Sequence, residues 1–289
     1  MIVVILTAFT LIAFAANSLL CRMALGDGLI DPMSFTTVRL VSGALALILI
    51  SWLVDESKTQ QKKTKGSWGS GFALFVYAAA FSLAYVSLST VMGALILFGS
   101  VQVTMIGAAL KSGEKLGPVQ WLGSAAAIGG LVYLVLPGIT APDPIGALLM
   151  CASGIAWGVY SIRGRGVLAP IAMTAGNFTR AAPLAILVSV VALYSIDLQS
   201  KGFILALISG IVTSGMGYVL WYKALRSLTI TQASLIQLTV PVIAAFGGVA
   251  FLSEQLSTRL ITASALILGG VTIAILKSRP IADSNEGAN

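Results

Sequence analysis

The chain has no histidine, only ten acidic residues and only two cysteines among its 289 residues. Each scarcity excludes something. Without histidine there is no imidazole to act as acid, base or metal ligand. Cys21 and Cys151 both lie in apolar stretches and read as small buried residues, not as a disulfide or a metal site. Every acidic residue, from Asp27 to Glu286, falls in an expected connection or tail, so no carboxylate stands inside an apolar segment as an ion relay. No acidic pair and no nucleophile beside a base is legible, which argues against an enzyme, and no cofactor or metal is implied. Charge is thin throughout: 9% of residues are charged and 57% apolar, with a mean hydropathy of +0.98. A soluble domain carries about 25% charged residues. So few charges cannot cover a water-facing surface, and most of the surface must face lipid.

Long apolar runs are abundant. A bilayer core of about 30 Å is crossed by about 20 helical residues at about 1.5 Å each. Ten segments qualify, near 2–22, 33–54, 68–87, 90–110, 117–137, 144–163, 170–195, 202–222, 230–252 and 258–276. None alternates as a barrel strand would. The fold class expected is an all-α polytopic membrane protein with ten transmembrane helices. Ala13-Phe14-Ala15 has the look of a cleavage site, but residues 1–5 carry no positive charge, so the first segment reads as a retained helix.

The chain also contains itself twice, at a spacing of 140. Glu114 falls on Glu254 and Gly129-Gly130 on Gly269-Gly270, with Leu95-Ile96 on Leu235-Ile236 and Gly107 on Gly247 in the same register. Two arginines inside apolar segments, Arg39 and Arg180, match at 141. Five helices per half is an odd number, so the second half enters the membrane from the opposite face. The expected domains are therefore 1–139 and 140–279, as inverted repeats, followed by a disordered cytoplasmic tail at 280–289.

Basic residues set the orientation. Twelve lie on one side, in the connections after helices two, four, six and eight and in the tail, from Lys58 to Arg279. Three, Arg22, Lys201 and Arg259, lie on the other. Basic loops stay cytoplasmic, so both termini are expected in the cytoplasm. The net charge of +7 is scattered through short loops, which gives no nucleic-acid footprint. The expected partners are the lipid bilayer and a small-molecule substrate, with the chain a monomer or a weak homo-oligomer.

A proline-led second helix with an arginine a few residues in (Pro32 to Arg39) is followed by an acidic residue opening the last helix of each half. Those stretches read Glu114-Lys-Leu-Gly-Pro-Val, ending at Gly129-Gly130, and Glu254-Gln-Leu-Ser-Thr-Arg, ending at Gly269-Gly270; Trp157-Gly158 accompanies them in helix six. On these features the chain resembles the drug/metabolite transporter superfamily, in its EamA-type branch, over about residues 5–277. The resemblance implies two five-helix domains, peripheral helices five and ten, and export of small metabolites across a bacterial inner membrane. Among such exporters, those of amino acids, and the aromatic amino acid exporter branch in particular, are the nearest guess. A nucleoside, sugar or cationic-drug carrier, and a non-transporting scaffold or sensor, remain as alternatives.

Candidate site residues follow from placing polar and aromatic side chains deep in the spans. Tyr77, Phe81 and Tyr85 share one face of helix three, and Tyr218, Trp221 and Tyr222 recur in helix eight. Tyr77, Phe81, Phe98, Trp157, Tyr160 and Tyr218 are candidates for lining a cavity suited to flat amphipathic solutes. Tyr85, Trp221 and Tyr222, near helix ends, read as interfacial belt. Gln102 and Gln237 join the binding set, because an amide facing lipid would be unsatisfied; bonding between helices is the plainer account. Asn17, late in helix one, should also point inward. Pro241 lacks an N–H and frees the carbonyl of Gln237, marking a hinge or notch. Arg39 and Arg180 read as structural or gating groups, with attraction of a substrate carboxylate as the functional alternative. Glu114 and Glu254 read as caps at helix starts. Helices one, three, four, six, eight and nine are expected to line the cavity.

Overall fold

The computed structural model describes residues 2–54, 66–135, 143–191, 199–252 and 258–276. Of the expectations above, Glu254, the 280–289 tail and the basic stretch before Gly66 lie outside them. The described residues form helices α1 (Ile2–Gly26), α2 (Pro32–Leu53), α3 (Trp68–Ser87), α4 (Thr90–Lys111), α5 (Pro118–Val135), α6 (Pro144–Arg163) and α7 (Pro170–Val191). They continue with α8 (Ser200–Ile208), α9 (Gly217–Leu225), α10 (Ile230–Gln237), α11 (Val240–Leu252) and α12 (Thr258–Leu276), and include no strand. Among these residues eight helical runs are long and apolar enough to cross a membrane, counting Ser200–Leu225 and Ile230–Phe251 as one each; α12 holds a shorter apolar stretch, Ile261–Ile275.

Local chemistry fixes where helices begin. The Asp31 carboxylate accepts from the backbone N–H groups of Met33 and Ser34, and Pro32 fills the first turn, where no N–H is needed. Asp143 with Pro144 repeats the device at α6. Ser67 caps α3, and Thr229 with Gln232 forms a reciprocal capping box at α10.

Two spans depart from regular helix. Between α8 and α9 the stretch Ser209–Met216 is π-helical, so Ser200–Leu225, the eighth of the ten expected spans, is one rod with a widened middle. The ninth expected span breaks into α10 and α11 at Leu238 and Thr239, just ahead of Pro241. In this arrangement the bulk of the buried apolar side chains form one cluster drawn from α1–α4 and α6–α11. By contrast, α5 packs chiefly on α12, forming a pair that meets the rest through α4, α10 and α11. That pair approaches backbone to backbone: a Cβ on Gly123 would lie 2.5 Å from the Gly270 carbonyl oxygen, and one on Gly270 2.6 Å from that of Gly123. Any larger residue there would wedge the two helices apart.

Candidate functional site

The centre of the bundle is built around a buried cation. Arg39, on α2, is 0% exposed. Its Nε donates to Ser214 Oγ in the π stretch at 2.8 Å, and its Nη2 donates to Tyr77 Oη at 3.1 Å and Tyr218 Oη at 2.7 Å. The guanidinium carbon lies 5.1 Å from the Tyr77 ring centroid and 5.4 Å from that of Phe81. Such cation–π contacts offset part of the cost of burying charge, about 2.5–3.5 kcal/mol for a cation at mid-membrane on insertion scales. Among the described residues Nη1 has no hydrogen-bond partner.

The widened helix is what lets α8–α9 meet Arg39. Gly210 in the π stretch lies so close to the Arg39 carbonyl and Ser42 that any Cβ there would clash. That approach brings Ser214 onto the guanidinium. In the same stretch, Ser209 and Thr213 donate to Asn17 Oδ1 at 2.7 and 3.0 Å, and Asn17 Nδ2 donates to Tyr77 Oη at 3.4 Å. Tyr218 also donates to Tyr77 Oη, at 3.2 Å. Three donors, from α1, α2 and α9, thus converge on one phenol oxygen.

Aromatic rings enclose this polar knot. Trp157 stands 4.9 Å from Tyr77, 4.7 Å from Tyr218 and 5.5 Å from Tyr160, and Phe14 meets it edge-on at 5.1 Å. The Trp157 indole N–H donates to Gln237 Oε1 at 2.7 Å, and Gln237 Nε2 donates to Met105 Sδ and the Ala233 carbonyl. A small cavity of about 10 Å³ lies among Phe14, Ser18, Tyr77, Phe81, Leu97, Phe98 and Trp157. That is room for about one water molecule. Glycines make the wall tight, since Gly154 and Gly158 set α6 directly against Leu97, Ser100 and Thr104 of α4.

The structure thus brings Tyr77, Phe81, Phe98 and Trp157 to one cavity, with Tyr160, Tyr218 and Gln237 directly behind it. Gln102 lies one turn from Phe98 on the same buried face of α4, and neither of its amide atoms has a partner among the described residues. The cavity wall comes from α1, α3, α4 and α6, without a residue of the eighth or ninth span. Phe14, Ser18, Leu97 and Ser214 were not singled out from the sequence. Phe14 alone left a signal there, an aromatic ring in mid-segment.

Four expectations are corrected. Tyr85, Trp221 and Tyr222 are not interfacial, because all three are 0% exposed. Tyr85 packs edge-on against Phe81 at 4.7 Å, Trp221 donates to Ser161 Oγ, and Tyr222 donates to the Tyr160 carbonyl. Arg39 and Arg180 are not equivalent: Arg180 is half-buried, donates to the Gly176 carbonyl and lies 6.0 Å over the Trp68 ring. Glu114 does not cap the helix that follows it. Gly113, at φ +86°, ends α4 and turns the chain, so the Glu114 carboxylate reaches α10 and accepts from Ile230 N, Thr231 N and Thr231 Oγ1. The start of α5 is served by Gln120, which accepts from Gly117 N. Finally, the eighth span is not a uniform α-helix.

Contacts crowd the end where α4 finishes and α10 begins. Arg165 lies 4.0 Å from Glu114 and donates to the Leu228 carbonyl. Arg226 donates to the Val167 and Leu168 carbonyls, and Arg163 to Ser67 and Ser70. Together these join the connections α4–α5, α6–α7 and α9–α10 and the start of α3.

A bundle of membrane-length helices with a broken span, a π-helical span and a polar aromatic centre defines a multi-pass membrane protein of transporter architecture. Comparison with known proteins agrees. Residues 144–276 match the EamA-like transporter family. Over 284 residues, 98% of both chains, the sequence is 48% identical to an uncharacterized protein of Pseudomonas aeruginosa. It is 23% identical over 266 residues to the uncharacterized transporter YoaV of Bacillus subtilis, covering 86% of this chain and 89% of that one. An uncharacterized transporter of Archaeoglobus fulgidus is 26% identical over 217 residues, 71% of this chain and 75% of its own. A crystal structure at 22% identity superposes with a TM-score of 0.70 over 93% of this chain and 98% of its own, which gives the fold alone. The chain belongs to the EamA-like transporter family. The resemblance drawn from its arginine, glutamate and glycine pairs is borne out.

Proposed function

We propose that this chain exports small metabolites across a bacterial inner membrane by alternating access, with aromatic or large neutral amino acids as the favoured substrates. The observation that carries the reading is the ring of Phe14, Tyr77, Phe81, Phe98 and Trp157 around a cavity beside buried hydrogen-bonding groups. Flat apolar faces with a few fixed polar atoms suit a solute with a ring at one end and charged groups at the other. The cavity holds about one water molecule, so a substrate enters only when the bundle opens.

Opening fits the two inverted halves, 1–139 and 140–279, rocking about the centre. With both termini in the cytoplasm, the joined end at Glu114, Arg165 and Arg226 is the cytoplasmic gate, and the break at Leu238 and Thr239 is its hinge. The described acidic residues, Asp27, Asp31, Glu114 and Asp143, all lie in connections, which supports exchange or facilitated movement without a proton-relay carboxylate. A carrier of this kind makes and breaks no covalent bond in its substrate.

The test is ligand-induced thermal stabilisation of the purified protein against amino acids, nucleosides, sugars and cationic drugs. Stabilisation by aromatic or large neutral amino acids supports the reading. Stabilisation confined to another class replaces it.

A further inference from the structure

We infer that Arg39 binds the substrate's carboxylate, an assignment that rests on the proposed amino acid export and names the end of the molecule that the site grips.

Three observations lead there. First, no described acidic residue pairs with Arg39. Its hydrogen-bond partners are the neutral oxygens of Ser214, Tyr77 and Tyr218. The described acidic residues sit in connections, and the one ion pair among the described residues, Arg165 with Glu114, lies at the joined end of the bundle. Second, the guanidinium is not saturated. Nη1 is fully buried without a partner, although buried polar atoms in native proteins are almost always bonded. A planar fork with a free N–H and two more donors held only by phenol oxygens matches the two oxygens of a carboxylate. Third, the neighbourhood is rich in donors. Tyr77 Oη already receives Arg39, Tyr218 and Asn17, so an arriving acceptor finds donors to take over.

The geometry connects this group to the cavity. The guanidinium lies against the rings of Tyr77 and Phe81, and both rings wall the cavity on their side. When the bundle opens and the Tyr77 ring turns aside, the carboxylate takes the free Nη1 and replaces the phenol oxygens on Nη2. Gln102 is a second, independent buried polar group open to a ligand: it is 2% exposed, one turn from the cavity residue Phe98, and neither amide atom bonds a described residue. Its two-sided amide is suited to the remaining polar group of a zwitterion. The same field disfavours a cationic drug, because an unpaired buried cation beside the cavity repels a second one.

The experiment uses the full chain in lipid nanodiscs and three forms of each probe: L-phenylalanine and L-tryptophan, their carboxamides, and phenethylamine and tryptamine. The assignment predicts that the acids bind about tenfold or more tightly than amides and amines. It also predicts that Arg39→Gln, if monodisperse, removes this preference, whereas Arg39→Lys retains part of it. Equal binding of acid, amide and amine overturns the assignment and leaves amino-compound transport standing. An unchanged acid preference in folded Arg39→Gln does the same and returns Arg39 to a bracing role. No binding of any form overturns the amino acid reading and the assignment with it. Should Arg39→Gln fail to fold, the wild-type series decides alone.

Discussion

The Trp157 indole N–H and the Gln237 side-chain carbonyl meet at 2.7 Å, a bond between residues 80 apart that ties α6 to the last residue of α10. It sits where the ninth span breaks, so the aromatic wall and the break are one mechanical unit. Gln237 is held on its other side by Met105 Sδ and the Ala233 carbonyl, which uses both donors of the amide.

Gln237→Leu keeps the volume and orphans the indole. It is expected to cost about 1–3 kcal/mol, read as a lower melting temperature in detergent. Trp157→Phe should cost a similar amount. The double variant should cost less than the sum, because each single change already breaks the same bond. Strict additivity would show the bond to be energetically idle.

The Glu114 cap crosses from the α4–α5 connection to α10, over 116 residues of sequence. Glu114→Ala leaves the N–H groups of Ile230 and Thr231 without their acceptor and should lower stability by about 1–2 kcal/mol. Its carboxylate is partly exposed, so adding salt to the wild type should weaken only the Arg165 pairing and shift the melting temperature little.

Glycines in adjacent positions should behave oppositely. Gly270→Leu, forced against the Gly123 carbonyl, should separate α5 from α12 and cost about 1–3 kcal/mol. Gly269→Ala and Gly129→Ala have open space beyond the new methyl and should be neutral or stabilising by up to about 1 kcal/mol. Melting curves of the three variants check the packing of the peripheral pair.

Span positions were legible because their causes are local: apolar runs of membrane length, with Asp31-Pro32, Ser67 and Asp143-Pro144 marking starts. The depth of Tyr77, Trp157 and Gln237 was legible for the same reason. Partnership was not. Position along a helix says nothing of the face a ring occupies, so Tyr85, Trp221 and Tyr222 looked interfacial while being fully buried. The π stretch accompanies the docking of Gly210 on Arg39 and Ser42, a contact between spans two and eight that position along the chain does not reveal. Glu114 went to α10 because a single positive-φ glycine turned it there. Repetition suggested that Arg39 and Arg180 do the same job, and tertiary packing gave them different ones.

Orientation has its own test. If the basic connections set the orientation as proposed, a fluorescent protein fused to the C-terminus should glow. A dark fusion in cells that produce full-length protein would reverse the orientation and make the Glu114 end external.

The most direct measurement is counterflow in liposomes preloaded with an unlabelled aromatic amino acid, with no proton or sodium gradient imposed. The account predicts uphill accumulation of the labelled amino acid, abolished by Trp157→Ala in correctly folded protein. Absence of counterflow in vesicles containing folded protein, or accumulation only under an imposed ion gradient, would contradict it.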